Sequence, residues 1–171
     1  MPNLIYLICS LPSLSFGQRP PISLKEFKED AKKQLSDNQF QRLELTNIRG
    51  TEEDWEKGKL GKIGDMLKEL QQDRTELRNS RRQHRAPEMI NLDKKIVELN
   101  PLEREKLIMQ WVWEVLDDIE SNNTFSFTAV MVYKMKLQIL HRLNSFDAER
   151  GAKLLEAVVN PTKNEKEGWL E

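Results

Sequence analysis

NPLEREKLIMQWVWEVLDDIESNNTFSFTAVMVYKMKLQILHRL, residues 100–143, decides the fold. Asn100 can cap a helix whose first turn holds Pro101, which has no amide to leave unpaired, and Glu103, an acid that complements the positive helix end. Together they predict a helix over about 101–121. Ile108, Trp111, Val112, Val115, Leu116 and Ile119 repeat at the helical period and form its buried stripe, and Asn122 and Asn123 break it. A second helix, about 127–143, is apolar nearly all round: Val130, Val132, Tyr133, Met135, Leu137, Ile139, Leu140 and Leu143 leave a thin polar strip at Lys134, Gln138 and His141. A helix with so little polar surface belongs at the centre of its fold.

Two residues in this stretch break the pattern. Lys136 lies in the middle of the apolar arc, where an unpaired charge is costly, so it either extends its ammonium to an edge or pairs with an acid such as Asp117, Asp118 or Asp147. Trp113 lies off the buried stripe of the first helix and reads as a partner contact or an additional core contact. Beyond this stretch, Asp147 caps a last helix, Ala152 to Val159, and Pro161 opens a charged tail, 161–171.

Upstream, helix starts follow one another closely. Ser23 with Glu26 and Ser36 with Gln39 have the spacing of capping boxes, in which each side chain satisfies an amide that has no partner inside the helix. Leu24, Phe27, Ala31 and Leu35 share the apolar face of the first helix. Phe40, Leu43 and Ile48 continue that of the second, which Gly50 is expected to end. Thr51 with Asp54 opens a long charged segment to about residue 85. Within it Leu60, Ile63, Leu67, Leu70 and Leu77 form a narrow seam of the kind that joins two helices, and the same register continues into Arg74, Arg81 and His84. Gly58, Gly61 and Gly64 each cost about 1 kcal/mol in a helix interior, which points to a bend, a frayed start or a close helix contact. Residues 86–99 read as a connector with a helical patch around Ile96.

The whole reads as an all-α helical bundle of about five to six helices, with residues 4–9 either a short buried strand or the first turn of a core helix. The expected organisation is one domain over 1–160, with N-terminal helices at 22–86, a C-terminal three-helix unit at 100–160, and the tail. The 171 residues carry 27 lysines and arginines against 28 aspartates and glutamates, so no global charge drives the chain towards nucleic acid or an anionic membrane. Cys9 is the one cysteine; it reads as a small core side chain and leaves no intramolecular disulfide to form. The apolar opening lacks a preceding basic residue and meets Pro12, so it is expected to be neither a secretory signal nor a membrane span, and a cytoplasmic location is expected.

Reactive groups are scattered. His84 and His141 stand apart without metal-ligand spacing, no phosphate-binding glycine motif is present, and Asp117, Asp118 and Glu120 read as a solvated helix end. No catalytic, metal or cofactor residue is therefore assigned, and the chain is read as a non-enzyme. The concentrated feature is the basic run Arg74, Arg78, Arg81, Arg82 and Arg85 with His84: a docking strip for an acidic protein surface, a solvated helix end or, less favoured because no aromatics accompany it, a contact to nucleic acid phosphates. The Leu60 to Leu77 seam also admits self-association.

Four stretches carry a family resemblance: Ile5-Tyr6-Leu7-Ile8-Cys9-Ser10-Leu11-Pro12-Ser13-Leu14, Leu35-Ser36 before Phe40, Asn100-Pro101-Leu102-Glu103-Arg104-Glu105-Lys106-Leu107, and the run from Tyr133 to Leu143. They resemble an uncharacterised bacterial family that accompanies the subunits of V-type (A-type) ATP synthases. Its members look like reduced forms of the helical linker that joins the central rotor stalk to the membrane ring of proteolipids. The resemblance covers both ends of the chain and is weakest between residues 50 and 95. It implies a non-catalytic structural or linker subunit of an ion-translocating rotary ATPase, docked to stalk or rotor proteins on the cytoplasmic face of the membrane without crossing it.

Overall fold

The structure, a computed structural model, describes residues 3–146. Among them it is all-helical: α1 Leu4–Ser10, α2 Leu24–Gln34, α3 Asp37–Leu45, α4 Glu52–Lys57, α5 Lys62–Arg82, α6 Pro101–Ser121 and α7 Phe127–Asn144, with a 3-10 turn at Lys94–Val97. The helix expected at 152–159, its cap Asp147 and the tail lie outside the described residues. As expected from its composition, α7 is central and packs on α1, α2, α3 and α6, while α5 packs on α4 and α6. Val130, Val132, Met135, Leu137 and Ile139 are fully buried.

Local chemistry sets the helix starts. The boxes Ser23/Glu26, Ser36/Gln39 and Thr51/Asp54 all close reciprocally, and Asn100 Oδ1 accepts from Glu103 N at 2.9 Å. Each cap contributes about 1 kcal/mol. The helical patch around Ile96 is the 3-10 turn, with Ile96 fully buried, and Arg104 of α6 donates to Ile96 O at 3.0 Å and Leu99 O at 2.9 Å.

Several expectations change. Of the two readings open for residues 4–9 the helix holds, over Leu4–Ser10, with Asn3 Oδ1 accepting from Tyr6 N at 3.0 Å as the cap. Leu7 is buried there, but Cys9, expected in the core, is exposed. Residues two apart on a helix point to nearly opposite sides, so the side that seats Leu7 against α2 and α7 cannot also seat Cys9. The helix α3 ends at Leu45, ahead of Gly50. The segment from Thr51 to about 85 is two helices, which with α1 raises the count to seven among the described residues.

The break between α4 and α5 has a steric cause. Gly61 holds φ +58° and ψ −127°, a conformation closed to residues with a Cβ. A Cβ at Gly58 would stand 2.4 Å from Leu60 Cδ1 and 3.1 Å from Asp54 O. The seam residues Leu60, Ile63, Leu67, Leu70 and Leu77 are all buried inside this one chain, so the seam is not free to pair with a second copy. The register does not continue into Arg74, Arg81 and His84 as expected: Arg74 is half-buried and Arg81 and His84 are exposed, while Asp73 and Ser80, one residue earlier than Arg74 and Arg81, are buried.

The polar strip on α7 is partly enclosed, with Lys134 buried and Gln138 and His141 half-buried. Lys134 is 2% exposed, and its Nζ donates to Leu43 O at 2.6 Å and Glu44 O at 3.3 Å, carbonyls in the last turn of α3, of which Leu43 O also accepts from Thr46 N at 3.1 Å. Gln138 accepts from Ile48 N at 3.4 Å, His141 Nε2 lies 2.9 Å from Ile22 O, and the Tyr133 hydroxyl donates to Pro12 O at 2.9 Å. The polar groups of the central helix thus fasten four separate points of the N-terminal half.

Burial pushes the Lys134 ammonium down to about 8, with Glu44 opposing and Lys28 adding to the shift. Between that value and the ordinary lysine range the unfolded chain binds more protons than the folded one, so this group's contribution to stability rises with pH above about 8 and its penalty is complete below it. Tyr133, raised by burial to about 12, acts in the opposite direction only above about pH 10. Urea midpoints measured from about pH 7 to pH 10 should therefore climb more steeply for the wild type than for Lys134→Met. Parallel profiles would contradict a Lys134 ammonium lowered by burial in the folded state.

Candidate functional site

The basic run separates once folded. Arg85 folds back on Glu76, its Nη1 2.5 Å and Nη2 2.9 Å from the carboxylate oxygens, and Glu88 N donates to the same carboxylate at 3.0 Å. These bonds hold the Glu76 carboxyl down at about 2, the Arg85 guanidinium being the larger cause. Arg85 is therefore spent on fastening the connector after α5. Arg81, Arg82 and His84 are exposed beyond it. The members nearer the middle of α5, Arg74 and Arg78, instead share a cleft with a residue outside the basic run and its helical spacing, Arg49.

These three arginines line a cleft of about 270 Å³ between α5 and the 46–50 turn, together with Gln71, Thr75, Leu67 and Leu70. The turn is positioned from below. Asn47 O accepts from Gly50 N at 3.0 Å and from Trp55 Nε1 at 3.0 Å, and Asn47 Oδ1 accepts from Arg49 N at 2.9 Å. A Cβ at residue 50 would stand 2.7 Å from Trp55 Nε1, so the close seating of the turn on Trp55 requires glycine there. Arg49 is thus presented by a turn that has no helical periodicity, which is why no spacing rule pairs it with Arg74 and Arg78.

Arg74 is half-buried, and Glu105 Oε1 lies 3.9 Å from its Nη2. The same oxygen is 2.5 Å from Arg142 Nε, so Glu105 is chiefly committed to Arg142. Arg49 and Arg78 have no ion pair with any described residue. Burial pushes the Arg74 guanidinium below its ordinary value, Glu105 pulls it back, and Arg78 and Arg49 add to the lowering.

The two anomalies of the C-terminal helices are structural. Lys136 Nζ lies 2.5 Å from Asp117 Oδ1 and also bonds Glu120, so the acids expected to form a solvated helix end hold a buried cation; Asp118 does not take part and Asp147 is outside the described residues. Trp113 is 7% exposed and is a core residue: its ring meets Phe16 edge-on at 5.5 Å between centroids, and Lys136 Nζ lies 5.3 Å from its centroid. The loop before α2 covers it, which helical spacing cannot show.

A third surface is α1. Leu7 and Tyr133 fasten this helix and the chain after it to the core, yet Ile5 is 58% and Tyr6 61% exposed, and Cys9, one turn beyond Ile5, is exposed with them. Among the described residues no helix is long and apolar enough to cross a membrane.

The model of a family described as "Protein of unknown function (DUF2764)" matches residues 63–166, more than half of the 171-residue chain. The chain belongs to this family. The DUF2764 match takes in nearly all of α5 together with α6 and α7, and with them Arg74, Arg78, the Lys136 cluster and Trp113. Arg49 and the α1 surface lie before its first residue. No curated protein and no solved structure matches the chain.

Proposed function

We propose that this DUF2764 protein is a non-catalytic structural or linker subunit of a V-type (A-type) ion-translocating ATPase, docking to stalk or rotor proteins through α1 on the cytoplasmic face of the membrane. The observation that carries the docking reading is the outward face of α1, where Ile5 and Tyr6 are each more than half exposed on a helix whose opposite side is seated on α2 and α7. Apolar side chains that their own fold does not use favour burial against a partner. The ATPase assignment comes from the resemblance, one stretch of which, Ile5 to Leu14, includes this helix. Tyr133, Lys134 and His141 of α7, each bonded to the backbone of another segment, support a stiff body suited to transmitting force between partners.

Affinity purification of the tagged full chain from its native host, with the captured proteins identified by mass spectrometry, tests the assignment. Rotor or stalk subunits are expected with the wild type. Tyr6→Ser is expected to reduce their recovery by about tenfold, a loss of about 1.4 kcal/mol, as for an interface aromatic. Recovery without any rotor or stalk subunit would overturn the ATPase role and leave a free-standing helical adaptor. Undiminished recovery with Tyr6→Ser would remove α1 as the docking face.

A further inference from the structure

We propose that the cleft between the 46–50 turn and the middle of α5 is a binding site for a dianionic oxyanion, either free phosphate or a phosphate monoester, held by Arg49, Arg74 and Arg78. This inference is independent of the docking reading, because its residues lie on a different surface from α1.

Three arginines line one cleft, and Glu105, the acid paired with Arg74, is 3.9 Å away and bound more closely to Arg142. Like charges gathered in this way repel one another, and water alone compensates them poorly at Arg74, whose side chain is 29% exposed. A ligand carrying one negative charge would leave most of the repulsion in place; a phosphate group carries close to two and has oxygens enough for several guanidinium forks at once. Thr75 lines the same cleft and adds a hydroxyl donor, while Leu67 and Leu70 form an apolar floor suited to the carbon of an ester. The cleft, about 270 Å³ and open to solvent, accommodates a phosphate with a small substituent. The 46–50 turn, locked on Trp55, brings Arg49 to the cleft before any ligand arrives, which lowers the ordering cost of binding.

Calorimetric titration of the full chain with inorganic phosphate, with phosphoserine and with a glutamate-rich peptide, at constant ionic strength set by chloride, tests the site. Saturable binding of phosphate or phosphoserine is expected. Similar affinities would identify the free ion as the ligand, and tighter phosphoserine an ester. Arg49→Gln and Arg78→Gln alter exposed side chains without ion pairs among the described residues, so they should fold as the wild type does by circular dichroism. Each is expected to weaken binding about tenfold or more. Arg82→Gln, on the same helix but outside the cleft, should leave affinity unchanged. The proposal is overturned if neither phosphate probe saturates, if Arg49→Gln and Arg78→Gln bind like the wild type, if Arg82→Gln weakens binding as they do, or if the peptide alone binds.

Discussion

Asp73→Ala is expected to destabilise the chain by about 3–5 kcal/mol, among the largest effects of any single polar substitution here. The Asp73 carboxylate, 1% exposed, accepts from three successive amides of the connector: Ile90 N at 3.1 Å, Asn91 N at 2.8 Å and Leu92 N at 2.7 Å. Hydrogen bonds to a charged acceptor contribute about 1.5–3 kcal/mol each, and a buried amide left without its partner loses the water it would otherwise have. The total falls short of three full bonds because Ile90 is 77% exposed and its amide can be rehydrated. Asp73 also holds the connector against α5, where Leu92 and Ile96 enter the core, so its loss should extend to their packing. Asp73→Asn should recover part of the loss, since one oxygen still accepts while the new amide nitrogen faces a donor. Urea denaturation reports the stability, and hydrogen exchange at residues 90–92 locates the damage. A change below about 0.5 kcal/mol, the scale of an ordinary surface substitution, would show that the three bonds do not hold the connector.

The second large effect is an asymmetry at Lys136. Removing both of its acids, with Asp117→Asn and Glu120→Gln together, is expected to cost about 3 kcal/mol, whereas Lys136→Met should change stability by less than about 1 kcal/mol in either direction. The ammonium side chain is 8% exposed, while those of Asp117 and Glu120 are 54% and 39% exposed. Taking the acids away strands a buried cation; taking the cation away returns two acids to water and leaves a hydrophobic side chain of similar length over Trp113. Solvent screening of the acids keeps the cost at the low end for a broken buried pair. Either acid alone should cost about 1 kcal/mol, because the other still compensates the charge. Equal losses from Lys136→Met and the double acid variant, measured by urea unfolding, would contradict this account.

Much of the helical framework was legible because its causes are local. Ser23, Ser36, Thr51 and Asn100 each bond a group three residues away, so spacing alone locates those helix starts. The central place of α7 was legible for a similar reason: an apolar surface on almost every side leaves no other position for it. Lys136 was recognisable as an anomaly, and Asp117 as a candidate partner, because the two helices that carry them are adjacent in sequence and pack together. The candidate site was legible in part. Arg74 and Arg78 stood out in the basic run, but Arg49 did not. Cys9 was expected in the core and is exposed, while Trp113, open to either a partner or a core role, is a core residue.

Sequence by itself determined the helical class, most of the helix starts and the identity of the buried helix, since all three depend on hydrogen bonds and hydrophobic periodicity within a few turns of chain. Tertiary structure alone decided which polar groups face inward. Lys134 sits on the polar strip of its own helix, yet α3 closes over it, and its carbonyl partners are 91 and 90 residues away in sequence. The arginine cleft likewise exists only where a turn seated on Trp55 meets the middle of α5. Charge partnership depends on distance in space, and no periodicity along one helix encodes which distant backbone or side chain will arrive there.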